Sequence, residues 1–171
     1  MDLLKEIEKE HSKSQTEKII KYVGANKDRF AELMKLFLKG EYRVTQRAAW
    51  PMSYCVCNHP ELIAPYFKQI VVLLEKPGVH DAVKRNIVRL LQFVEIPKKY
   101  HGQVMNACFD FIADVETAVA IKAFSLTILD NLSKIYPDIR GELKLIIEER
   151  WEHETAAFTS RAKKILKSMK S

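Results

Sequence analysis

Apolar residues recur along the chain at helical spacing, and glycines, prolines and capping residues cut the pattern into short pieces. Leu3, Leu4, Ile7 and His11 fit a first, weak helix. Ser14-Gln-Thr-Glu17 reads as a capping box, in which the serine oxygen accepts from a free backbone N–H and the glutamate reaches back; Ile19, Ile20 and Val23 follow as its apolar stripe. Asn26 caps the next helix, which carries Phe30, Leu33, Met34 and Phe37 on one face and stops at Gly40. A helix over about 41–58 follows, with a kink expected at Pro51. Pro60 suits the first turn of another, because no donor is needed there; Ile63, Phe67, Ile70, Val71 and Leu74 form its stripe and Pro77-Gly78 ends it. Val83, Ile87, Leu90, Leu91 and Val94 mark the next, closed by Pro97, and further helices are expected over 97–113, 115–136, 137–154 and 156–169. Apolar runs such as Ile70–Glu75 lie inside helical stripes, and no Asn-Gly or Asp-Gly hairpin turn occurs. The chain reads as all-α.

The pieces repeat. Arg47, Arg85, Lys122 and Arg161 sit early in alternate helices, at intervals of 38, 37 and 39 residues. Pro60, Pro97 and Pro137 open the intervening helices at intervals of 37 and 40. A second breaker follows each of them (Pro65, Gly102, Gly141), and two residues later comes an apolar anchor: Phe67, Val104 and Leu143. Phe30 holds the matching place before Arg47. Three signals with one period describe a helix pair used as a module. Each pair has an apolar face that it cannot cover alone, and stacking the pairs buries a continuous core.

This pattern resembles HEAT or armadillo repeats, with the stretch over 44–74 the closest to one unit. The resemblance implies an α-α superhelix, a HEAT-like solenoid of about four helix pairs plus a C-terminal capping helix. The expected organisation is a single domain over 1–171, with units at 14–40, 41–76, 79–113 and 115–154 and a closing helix at 156–169. In such arrays the second helices line the concave face. Lys68, Gln69, Gln103, Asn106, Arg140 and Lys144 are then the candidate partner-binding residues. The implied function is a non-catalytic scaffold that takes a protein segment in its groove. The alternative is a nucleic-acid-binding module, similar in architecture to HEAT-like DNA alkylation-repair glycosylases. Trp50, Trp151, Asp110 and Asp114 would be available to such an activity but match no glycosylase motif.

Composition sharpens this picture at a few points. The chain has 171 residues, 47% hydrophobic and 29% charged, an ordinary globular balance. The longest run free of Asp, Glu, Lys and Arg covers only 13 residues, Ala48 to Pro60. A membrane-spanning helix needs about 20. The amino-terminal stretch is charged throughout and lacks the apolar block of a secretory signal, so a cytoplasmic location is expected. The net charge of +6 is uneven: Arg161, Lys163, Lys164, Lys167 and Lys170 crowd the last thirteen residues without an acid. That helix could attract an acidic partner or complement the glutamate-rich stretch before it.

Chemistry is sparse. Cys55 and Cys57 lie two apart on a helix and point to roughly opposite sides, and Cys108 lies in an apolar run, so all three read as reduced structural thiols. Of five histidines, only His153 has a ligand-type neighbour at helical spacing, Glu149, and no third ligand accompanies them. No Gly-rich phosphate loop and no nucleophile elbow occur. No catalytic residue, cofactor or metal is therefore expected. The ladder Arg47, Arg85, Lys122 and Arg161 has two readings: a cationic stripe that tracks phosphates or an acidic peptide, or linkers that bind an acid or a helix C-terminal carbonyl of a neighbouring module. Trp50 and Tyr54 share a helical face with Arg47. Exposed, the trio would be an anchor site; buried, it would be a contact between modules around Pro51, and burial is the expectation.

Overall fold

The computed structural model describes residues 1–170 and contains ten α-helices and no strand among them. The chain divides into two compact units, Met1–Glu95 and Ile96–Ser171.

In the first unit, α1 (Leu3–Lys9) buries Leu3 and Ile7, and Asp2 caps it by accepting from the Lys5 N–H. Helix α2 (Lys13–Val23) starts one cap earlier than expected. Ser12, not Ser14, adopts the extended cap conformation and accepts from the Gln15 N–H at 3.1 Å. The sequence holds two overlapping boxes, Ser12…Gln15 and Ser14…Glu17. Ser12 takes the cap, while the Gln15 side chain, which a full box would turn back to the Ser12 N–H, donates to the Glu6 carbonyl and carboxylate of α1, each at 2.6 Å. Asn26 caps α3 (Lys27–Lys39) through two backbone donors, Asp28 and Arg29. Phe30, Leu33, Met34 and Phe37 are all buried, as their spacing predicts. Helix α4 (Tyr42–Asn58) carries Pro51 within it, which leaves the Arg47 carbonyl without its helical donor. A 3-10 segment over Pro60–Tyr66 then leads into α5 (Phe67–Glu75), so the single helix expected here is divided. Pro60 and Pro65 both lack the amide that an α-ladder would use. Helix α6 (Asp81–Leu91) closes the unit, its first turn capped by His80 Nδ1. Helix α4 is the hub: α1, α2, α3, α6 and the 3-10 segment all pack on it.

The second unit repeats the proline-led entry. Short 3-10 turns at Lys98–Tyr100 and Pro137–Ile139 precede α7 (His101–Ala113) and α9 (Arg140–Arg150). The anchors Phe67, Val104 and Leu143 are buried near the start of α5, α7 and α9. Helix α8 (Val119–Ser133) begins four residues later than expected, because Asp114 accepts from the Glu116 N–H and folds the preceding stretch into a turn. Helix α9 stops at Arg150, where a 3-10 turn over Trp151–His153 takes over, and α10 spans Ala156–Met169 as its stripe predicts. Here α8 is the hub, packed by α7 and α10. Buried His101 holds the entry to this unit: its Nε2 meets the Ile96 carbonyl at 2.7 Å and its Nδ1 the Tyr136 hydroxyl at 2.9 Å. The boundary between the units falls within the expected third pair, 79–113, since α6 packs in the first unit on α4 and α5, and α7 in the second on α8 and α9.

Gly40 joins α3 to the hub. A Cβ there would collide with the Leu36 carbonyl and reach 2.9 Å from Val44 Cγ1, whereas a Cβ at Gly102, inside α7, meets open space. Gly40→Ala should therefore lose about 1–3 kcal/mol by overpacking. Gly102→Ala should be neutral or gain up to about 1 kcal/mol from reduced unfolded-state freedom. Urea unfolding of the two variants measures both.

Candidate partner-binding site

The basic ladder separates into unlike roles. Arg47 Nη1 donates to the carbonyls of Ile7, at 3.2 Å, and Glu8, at 2.9 Å, in the last turn of α1, where oxygens lack helical donors. Arg161 Nη1 donates to the Ala123 carbonyl and to Thr127 Oγ1, and its guanidinium lies 5.1 Å from the Phe124 ring centre. Lys122 is 3% exposed, and its Nζ meets Glu154 Oε1 at 2.8 Å. Arg150 binds the same oxygen through Nε and Nη2. This cluster ties the turn after α9 to α8. Arg85 differs from the other three, because it forms no hydrogen bond or ion pair among the described residues.

Arg85 lines a cleft of about 230 Å³ on the first unit with His11, Gln46, Trp50, Tyr54, Ala82, Asn86 and Arg89. No acidic residue contributes to the lining. Helix α4 supplies Trp50 and Tyr54, one turn apart, and α6 supplies Arg85 and Arg89, also one turn apart. The expected burial of the aromatic trio does not hold. Tyr54 is 39% exposed and Trp50 partly so, because the packing of α6 on α4 leaves an open cleft beside them. Arg47, the third member, turns to α1 instead. The His11 ring meets Trp50 edge-on at 5.6 Å, and the Arg89 guanidinium lies 5.1 Å from the centre of the Tyr54 ring.

A buried polar network fixes Arg89. Its Nη1 donates to Asn86 Oδ1, which also accepts from Ser53 Oγ at 3.0 Å. Asn86 Nδ2 donates to the Ala82 carbonyl at 2.7 Å. Burial lowers the affinity of Arg89 for its proton, with Tyr54 acting in the opposite sense. Burial, reinforced by Arg47 and Arg85, does the same to His11. The cleft is thus a recess with two guanidiniums and aromatic walls, and no acid contributes to its lining. Sequence reasoning missed Arg89, although its i+4 spacing from Arg85 was a signal that could have found it. His11 had no such signal, since only the folding of α1 and α2 onto α4 brings it to Trp50.

The six residues expected to line a groove are all exposed: Lys68 and Gln69 on α5 in the first unit, Gln103 and Asn106 on α7 and Arg140 and Lys144 on α9 in the second. Arg140 and Lys144 border a second cleft, of about 350 Å³, with Leu166, Met169 and Lys170 from the end of α10. Lys144 also approaches Glu148 at 3.9 Å, but both side chains are more than half exposed, so the pair holds little. The cysteines are unpaired. Burial pushes the Cys55 and Cys108 thiols up to about 12 and raises that of Cys57 as well. Among the described residues no three His, Cys, Asp or Glu side chains group to hold a metal ion, and no helix is long and apolar enough to cross a membrane.

Two measurements follow from this geometry. Lys122→Met leaves the buried Glu154 one cation short and should cost about 3–5 kcal/mol of stability, whereas Arg85→Gln should stay within about 0.5 kcal/mol. Thermal or urea unfolding compares them. Because raised thiol pKa values leave little thiolate near neutrality, native protein should react slowly with a disulfide reagent at pH 8. The half-buried Cys57 should go first, and all three should react at once in denaturant.

Compared with known proteins, the chain matches the HEAT repeat domain family over residues 3–169. No curated protein and no solved structure matches it. Nearly the whole chain is covered by that match, and the all-α architecture with its proline-led helix pairs agrees with it; the chain belongs to the HEAT repeat domain family.

Proposed function

We propose that this HEAT repeat chain is a non-catalytic scaffold that docks an acidic segment of a protein partner at the cleft between α4 and α6. One observation carries the reading: Arg85 and Arg89 stand beside Trp50 and Tyr54 in a recess whose lining contains no acid. Arginine, tryptophan and tyrosine are the side chains that concentrate binding energy at interfaces, because they combine large rigid area with donors or cation–π capacity. Two guanidiniums in a lining that contains no acid favour a negatively charged segment through complementarity. Within the first unit, the exposed Lys68 and Gln69 are further partner contacts that we propose; within the second unit, taken by itself, Gln103, Asn106, Arg140 and Lys144 are separate candidate partner-binding residues. Unpaired thiols fit a reducing compartment, which supports a cytoplasmic location for the scaffold.

A second reading, a nucleic-acid-binding module, draws on α10, where Lys163, Lys164, Lys167 and Lys170 are exposed. It is weakened by the ladder, three of whose four cations are held by the protein's own oxygens.

Fluorescence anisotropy separates the two. A degenerate peptide pool rich in Asp and Glu should bind, a Lys-rich pool should not, and Arg85→Gln should weaken the acidic pool by about tenfold, the loss of one charge-assisted contact. Random duplex DNA that binds more tightly than the acidic pool, with affinity falling steeply as salt rises, would reverse the order of the two readings.

A further inference from the structure

We infer that the cleft between α4 and α6 is a receptor for a single phosphate monoester, carried as a phosphorylated side chain on the docked protein segment. The inference rests on the proposed role as a segment-binding scaffold and narrows the ligand chemistry at that site.

The first argument is charge. Arg85 and Arg89 lie four residues apart on α6, a spacing at which like charges repel. Arg85 adds to the field that disfavours protonation of both Arg89 and His11. A single carboxylate offsets one of two guanidinium charges. A phosphate monoester carries close to two negative charges at neutral pH, with three acceptor oxygens, and so matches the pair. Guanidinium forks also fit phosphate oxygens in a bidentate manner that a lysine cannot reproduce.

The second argument is preorganisation. Asn86 is 2% exposed, and its amide is fixed at both ends by Ser53 and the Ala82 carbonyl. It holds Arg89 through Nη1 while the guanidinium lies along Tyr54. A cation already oriented loses less freedom when a ligand arrives.

The third argument separates a lone phosphate from a nucleic-acid backbone. A phosphodiester strand presents one charge per unit and is tracked by successive cations. Arg47, the rung that shares α4 with the aromatic walls, donates to two α1 carbonyls. The cleft therefore offers one concentrated positive point. Trp50 and Tyr54 provide apolar walls for the carbon skeleton that bears the phosphate.

The test uses the full chain and three degenerate peptide pools that differ only at a central residue: phosphotyrosine or phosphoserine, glutamate, and the unmodified residue. Anisotropy should show the phosphorylated pools binding at least tenfold more tightly than the glutamate pool. Phenyl phosphate should displace them and benzoate should not. Arg85→Gln should abolish the preference while the thermal midpoint stays at the wild-type value, and Arg89→Lys, which keeps the charge but removes the fork, should reduce it. Equal binding of the phosphorylated and glutamate pools, with dependence on Arg85, would overturn the phosphate assignment and leave the acidic-segment reading standing. Absence of binding to every pool would overturn both. A preference that survives Arg85→Gln, or duplex DNA that displaces the phosphorylated pool with the same Arg85 dependence, would also overturn the assignment.

Discussion

Burial of two helices on more than one side governs this chain. Helix α4 hides Val44, Ala48, Ala49, Met52, Cys55 and Val56, and α8 hides Ile121, Ala123, Leu126, Ile128, Leu129 and Leu132. A surface helix shows one apolar stripe; these show apolar residues around much of the circumference. Each must be covered by several neighbours, and each fully buried large side chain adds about 1.5–3 kcal/mol toward that arrangement. The amphipathic helices around them supply the cover, as α1, α2, α3 and α6 do for α4 and as α7 and α10 do for α8. The remaining features are consequences of how that cover is fitted.

Close cover excludes water, and excluded water forces every polar group within reach to find a partner. Lys122 lies on α8 among residues that must be buried, so its ammonium accepts the company of Glu154, and Arg150 completes the neutralisation. Arg47 lies where α1 ends against α4, so it satisfies carbonyls that the helix end leaves open. Arg161 instead reaches a carbonyl inside α8, that of Ala123, together with Thr127 Oγ1. One period in the sequence thus gives chemically different bonds, because the neighbouring segment presents different acceptors at Arg47, Lys122 and Arg161 and none to Arg85 among the described residues.

This division explains what could be read from the residues alone. Helix identity, the stripes of α3, α5 and α6 and the proline-led entries were legible, since they depend on spacing of 3.6 residues and on the missing amide of proline; the hub roles of α4 and α8 were not. The stripe of α3 and the extent of α10 needed nothing else. The cap of α2 is not settled by its own segment, where two similar patterns overlap: Ser12 caps, and Gln15 leaves its own helix to bond Glu6 of α1. The aromatic face of α4 follows a similar rule. Trp50 and Tyr54 are large enough to expect burial, yet the packing of α6 on α4 leaves a cleft that keeps them partly exposed. His11 joined the cleft through tertiary folding that no local pattern encodes.

The cleft between α4 and α6 stands apart from the logic that orders the rest of the first unit. Elsewhere polar groups are positioned by the demands of the core: Gln15 ties α2 to α1, and Ser12, Asn26 and His80 cap helices. Asn86 and Ser53 bond inward as well, Asn86 Nδ2 to the Ala82 carbonyl and Ser53 Oγ to the Trp50 carbonyl and Asn86 Oδ1, but both also accept from Nη1 of Arg89, which lines a recess. Replacement of that network by apolar residues of similar shape would relieve both the buried amide and the repulsion between Arg85 and Arg89. Arg89 serves the fold as well, since it satisfies the buried Asn86 oxygen and lies along Tyr54, whereas Arg85, one turn away on the same face, forms no hydrogen bond or ion pair among the described residues. A ligand that brings negative charge to that point, as proposed above, would offset the repulsion between the two guanidiniums.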